Sequence, residues 1–179
     1  GDVYKRQAST DQTSHLGQLL DYPANYTKGA CSKTILYVFS ANTGGGFTGP
    51  GTVSDTYTSA VNMVTETSYT HQSKWDITTA RADLGVMFKE TEFAYIIGGY
   101  ASTVDKFNMT TEQCLTGQGL SSIGGSSACS AFSDENTGYA WGDSEGCKMT
   151  FANDTFNNST TQWGAHGQQK GISSKVGKG

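Results

Sequence analysis

The sequence predicts an all-β fold of short antiparallel strands, and three observations carry that prediction. The residues that build long helices are scarce: hydrophobic residues make up 35% and charged residues 16% of the 179, while Gly contributes 23. Ser plus Thr reaches roughly a quarter of the chain, well above ordinary globular usage. A helical bundle needs Leu, Glu, Lys and Ala instead. Second, aromatic residues at 11% supply bulky core material that a disordered chain lacks. Third, short apolar runs recur between clusters of turn residues, which is the punctuation of strands.

Charge and hydropathy remove further classes. The formal net charge is −4 and the sequence pI about 5.2. No basic face is available to displace counterions from phosphates, so no nucleic-acid partner is expected. No run approaches the ~18 apolar residues of a membrane-spanning helix. A mass of 19.0 kDa suits one domain or part of a larger one. Residues 1–7 are expected to be an adapter-derived artefact, since Asp2-Val3-Tyr4-Lys5-Arg6-Gln7 is the in-frame translation of a common transposase adapter. The chain is accordingly expected to be a fragment. Residues 8–34 read as a polar N-terminal segment with a weak apolar cluster at Leu16, Leu19, Leu20 and Tyr22, helix or strand edge. Residues 35–179 read as the repeat region.

Compartment follows from Asn and Cys. Asn-x-Ser/Thr occurs at Asn25, Asn108, Asn153, Asn157 and Asn158, against about two expected by chance. The last two overlap. Cys31, Cys114, Cys129 and Cys147 are even in number, scattered and free of any CxxC pair. Zinc is therefore not expected, and the four are disulfide candidates with three possible pairings. Sequons and cysteines together point to a secreted, extracellular glycoprotein carrying covalent N-glycans.

Within 35–179 a pattern recurs: an apolar strand, a turn, a polar-aromatic strand, a Thr-rich turn. The clearest copy has strands at 81–88, 93–100 and 103–109, with turns at 89–92 and 110–112. The middle strand is apolar enough to be buried on both faces. A looser copy places strands at 126–132, 138–143 and 147–153, and a partial one begins at 35–40 and resumes from Val61 to Trp75. Tyr37, Tyr95 and Tyr139 are equivalent positions, spaced unevenly but near a repeat period of ~50 residues.

These residues resemble the kelch-repeat β-propeller. The motifs that carry the resemblance are Thr79-Ala80-Arg81, Tyr95-Ile96-Ile97-Gly98-Gly99, Val104-Asp105-Lys106-Phe107-Asn108 and the Thr-rich turn ahead of Trp75 or Trp163. They cover most of 35–163. The third copy departs with Gly142-Asp143 in place of the Gly pair, the first with Phe39-Ser40, and Cys114 stands where a blade-closing Trp is expected. The resemblance implies antiparallel four-stranded blades arranged radially, about three of them in an incomplete ring. End blades would then expose apolar faces, so self-association with neighbouring copies is expected.

No constellation points to catalysis. His15, His71 and His166 share no helical face and read as surface residues. Cys114, Cys129 or Cys147 beside Tyr139 is the pairing that a copper-radical oxidase propeller would need, without a matching motif. The segment 133–141 has a misplaced Asp for a sialidase-type Asp box. The turn Asp143-Ser144-Glu145-Gly146 reads as a solvated hairpin rather than a Ca²⁺ loop. Gly44-Gly45-Gly46 lacks the Lys-Ser/Thr of a phosphate loop. Trp75, Trp141, Trp163, Tyr100 and Phe107 read as inter-blade core before a sugar-stacking surface. The sequence therefore predicts a non-catalytic structural protein of an extracellular filament, appendage or wall, without cofactor or metal. The alternatives are a carbohydrate-binding propeller and a secreted oxidase or glycosidase.

Overall fold

The computed structural model describes residues 3–7, 12–17, 28–39, 56–81, 84–89, 92–99, 101–115, 130–142 and 146–159. The strands form one hairpin and three four-stranded antiparallel sheets. β1 (Val3–Gln7) pairs with β2 (Gln12–Gly17). The first sheet runs β3 (Lys28–Cys31), β4 (Ile35–Phe39), β5 (Thr58–Asn62) and β6 (Thr67–Ser68). A 3-10 turn, Ser73–Trp75, leads to the second sheet: β7 (Leu84–Lys89), β8 (Phe93–Gly98), β9 (Ala101–Asn108) and β10 (Gln113–Leu115). The third is β11 (Ser130–Ser133), β12 (Thr137–Trp141), β13 (Gly146–Thr150) and β14 (Thr155–Ser159). Each sheet is a meander, its strands hydrogen-bonded in chain order.

The all-β, antiparallel expectation is met, with differences at the edges of each copy. β3 falls in the segment read as N-terminal. β6, β10 and β14 close the sheets where the sequence suggested turns or a blade-closing Trp. These edge strands are short or polar and carry no apolar alternation to announce them. β1 and β2 span the adapter-like residues and those after them. The Gly-rich segment 44–46, the turn 143–145 and everything beyond 159 lie outside the described residues.

Alternation along the strands assigns the core. On the second sheet Leu84, Val86, Ala94, Ile96 and Phe107 face the first sheet and join Tyr37, Phe39, Ala60 and Trp75 in one buried cluster. Met87, Tyr95, Ile97 and Val104 face the other way and join Ala140, Cys147, Met149 and Phe151 of the third. β7 accordingly packs on β3 at one side and on β11 and β12 at the other. Gly138 sits at the second of these contacts. A Cβ there would lie 2.6 Å from Met87 Sδ and 3.1 Å from Phe151, so a side chain would push Met87 and Phe151 aside, and glycine lets β12 approach β7 without that shift. Ser133 Oγ adds a polar tie, donating to Phe88 O at 2.8 Å and accepting from Phe88 N at 3.2 Å.

The hairpins before β6 and β10 are built the same way. Asn62 Oδ1 accepts the N–H groups of Val64 and Thr65, and Asn108 Oδ1 those of Thr110 and Thr111, all within 2.9–3.0 Å. These are Asx turns. The residue that ends the turn before each edge strand is left-handed and acidic: Glu66 (φ 57°), Glu112 (φ 55°) and Asp154 (φ 53°). Positive φ is uncommon outside glycine, and here it occurs three times at one structural position.

A buried ion pair locks the entry to the second sheet. Arg81 and Asp105 are both inaccessible to solvent. Arg81 donates to Asp105 Oδ2 from Nε at 3.2 Å and Nη2 at 3.1 Å, to Gly98 O at 2.8 Å and to Thr103 O at 2.6 Å. Asp105 also accepts from the Thr78 hydroxyl and, at 3.3 Å, from Thr79 N. Gly98 and Gly99, at φ 74° and 67°, make the β8–β9 turn that presents this carbonyl. The motifs 79–81, 98–99 and 105 are thus one network. Replacing Arg81 by Met leaves Asp105 as an uncompensated buried charge. Urea unfolding is expected to show a loss of about 3–5 kcal/mol, with most of it restored when Asp105 is also made apolar.

Candidate functional site

The two contacts between sheets carry the chemistry of the described residues. Between the second and third, the turn carboxylate of Asp154 reaches back to the preceding sheet. Tyr95 OH donates to Asp154 Oδ1 at 2.7 Å and Lys106 Nζ to Oδ2 at 2.7 Å. Tyr95 and Lys106 are cross-strand partners, so one acid latches both. The Lys106 ammonium lies 4.0 Å from the Phe93 ring centroid and 5.3 Å from that of Tyr95, a cation–π arrangement. Tyr95 stacks on Phe151 at 5.3 Å.

The contact between the first and second sheets repeats this plan with one part missing. Tyr37 takes the place of Tyr95 and Glu112 that of Asp154. The cross-strand partner of Tyr37 is Ala60, where the other contact has Lys106. A cavity of about 60 Å³ opens there, lined by Tyr37, Ala60, Tyr69, Gln72, Trp75 and Glu112, with Ile35. The Tyr37 and Tyr69 rings meet Trp75 at 74° and 80°, with centroids 6.4 and 6.3 Å away. Tyr37 OH and Trp75 Nε1 are buried with no hydrogen-bond partner within 3.5 Å. Tyr69 OH accepts from Asn62 Nδ2 at 3.0 Å. On the outer side, Lys74 Nζ stands 3.5 Å from Glu112 Oε2.

Both tyrosines are held protonated. Burial raises each phenol above its ordinary value first; the neighbouring Asp154 adds to Tyr95 through its hydrogen bond and charge, and Glu112 adds to Tyr37 through its charge and a long hydrogen-bonding approach to the phenol. Burial likewise pushes the Cys114 thiol up to about 12, with the Asp105 charge next, which makes it a poor nucleophile.

The residues singled out from sequence are dispersed. Among the described cysteines, Cys31 is exposed on β3, Cys114 half-buried on β10 and Cys147 buried on β13, and no disulfide joins them. Cys129 and Asn25 lie outside the described residues. Asn108 is half-buried with Oδ1 in its turn. Asn153 and Asn157 are exposed, and Asn158 sits on β14. His15 is on β2. His71 Nε2 is 2.8 Å from Asp76 Oδ1, which also accepts Thr58 N, and its ring stacks on Tyr57 at 4.0 Å. His166, Trp163 and Tyr100 are outside the described residues. Trp75 and Phe107 are core, and Trp141 is half-buried. Among the described residues no group of three His, Cys, Asp or Glu side chains converges. The acids Glu112 and Asp154 went unnoticed in sequence as anything beyond turn residues. The signal that would have found the first was the near-identity of 62–66 (Asn-Met-Val-Thr-Glu) and 108–112 (Asn-Met-Thr-Thr-Glu).

The raised tyrosines make stability fall in alkali. A phenol whose folded value exceeds the ordinary ~10 contributes stability that is complete below about pH 10 and is lost as pH rises further. Urea midpoints are expected to decline above that pH. Tyr95→Phe should flatten the decline, at a cost of about 1.5–3 kcal/mol at neutral pH for the lost bond to a carboxylate.

No family model matches this chain, and no curated protein matches it. Among solved structures, one titled "Structure of YjhT" is similar, with a TM-score of 0.67 at 14% sequence identity over 88% of this chain. This chain covers 58% of that one. At such low identity the similarity shows the fold alone: an all-β arrangement of antiparallel sheets shared with a longer protein.

Proposed function

We propose that the chain is a non-catalytic structural unit of an extracellular, N-glycosylated assembly, in which kelch-like propeller blades pack against neighbouring copies of the same protein. The observation that carries this reading is the outer face of the third sheet. On the first sheet the face bearing Tyr37 is covered by the second; on the second, the face bearing Tyr95 is covered by the third. The corresponding face of the third bears Phe132, Tyr139 and Trp141, all half-buried. Phe132 stacks on Tyr139 at 5.0 Å and meets Trp141 edge-on at 5.5 Å. Lys148, cross-strand from Tyr139 as Lys106 is from Tyr95, is exposed, with its ammonium 5.8 Å from the Tyr139 ring centroid.

An aromatic face with a lysine at this register suits a sheet whose last turn brings a carboxylate, as Asp154 does for Lys106. The first sheet of a second copy has Glu66 at that turn position. The exposed Asn153, on the last hairpin, supports the glycosylated reading, since a glycan there lies in solvent, whereas Asn157 is cross-strand from Lys148 and shares the aromatic face.

Two measurements test the proposal. In sedimentation experiments the purified chain is expected to associate as concentration rises, and Lys148→Glu should weaken association about tenfold. A single monomeric species at every concentration overturns the assembly reading. When the chain is made in a eukaryotic secretory pathway, enzymatic removal of N-glycans is expected to lower its mass, with Asn153 occupied ahead of Asn108; an unchanged mass overturns the glycoprotein reading.

A further inference from the structure

We propose that the cavity between the first and second sheets binds the primary ammonium group of a small organic amine. The argument is internal to the molecule. At the sister contact, the corresponding space holds the Lys106 ammonium, paired with a turn carboxylate and set against two aromatic rings. At the first contact the carboxylate and the tyrosine are kept as Glu112 and Tyr37, while the lysine is replaced by Ala60, and the space is open.

The lining has what an ammonium requires. Glu112 supplies charge, the Tyr37 oxygen, which accepts no hydrogen bond, supplies a lone pair, and Tyr37 and Tyr69 supply aromatic rings set steeply to that of Trp75. Aromatic walls with a carboxylate are a recognised environment for organic cations. A cavity of about 60 Å³ has room for about two waters at liquid density, or a methylammonium-sized group. Lys74 engages Glu112 only from the solvent side, with its own side chain 42% exposed, and a pair of that kind is weak.

The test uses the whole chain and methylammonium chloride, with sodium chloride at equal ionic strength and methanol as the uncharged isostere. Methylammonium alone is expected to raise the melting temperature and to shift the Trp75 indole resonance saturably, at millimolar concentration. Ala60→Lys supplies the ammonium covalently and should abolish both responses; Glu112→Gln should weaken binding at least tenfold. Lys74→Gln, at an exposed site, should keep the fold and tighten binding by removing the competing charge. Equal responses to methylammonium and sodium in the unaltered chain, or no tightening in Lys74→Gln, overturn the proposal. So does a methylammonium response retained in folded Ala60→Lys.

Discussion

A four-stranded antiparallel sheet has two faces, and in a chain with so little apolar material neither can be left to solvent without cost. That constraint explains the order of the structure. The second sheet alternates so that adjacent residues of one strand belong to different cores: Ala94 and Ile96 to one, Tyr95 and Ile97 to the other. Such a strand has no wet side, and its sheet is ordered by both neighbours at once. The Arg81–Asp105 pair serves the same end by another means. It satisfies the polar groups of a connection that must pass through the interior, where an unpaired carbonyl or hydroxyl would be expensive.

The two inter-sheet contacts show how one plan accommodates different side chains. Both use a tyrosine on the second strand and a carboxylate from the hairpin of the next sheet. One is filled by a lysine lying over two rings. The other has an alanine at the same register, a deeper set of rings and a void. The aliphatic stem of Lys106 fills space as well as carrying charge. Its replacement by Ala60 therefore changes packing and electrostatics together.

Much of this was legible in the sequence and some was not, for definable reasons. Strands at 35–39, 93–98 and 137–141 were visible because short apolar and aromatic runs stand there between clusters of turn residues. The equivalence of Tyr37, Tyr95 and Tyr139 was visible because aromatic residues are rare enough to mark a register. The edge strands were not, since Thr67-Ser68 and Gln113 spend little surface in any core. The partnership of Arg81 with Asp105 spans 24 residues and leaves no local trace. The cavity is hidden for a further reason: it arises from the small size of Ala60, and an absence of side chain has no motif.

The acidic residues at left-handed backbone positions have a consequence for how variation at these sites should be weighed. A glycine there would relax the main chain and, judged one turn at a time, improve it. It would also delete the group that ties one sheet to the one before. Local comfort and long-range cohesion are set against each other at Glu112 and Asp154, so a design that idealised each hairpin separately would arrive at three well-made sheets with weaker reason to stay together.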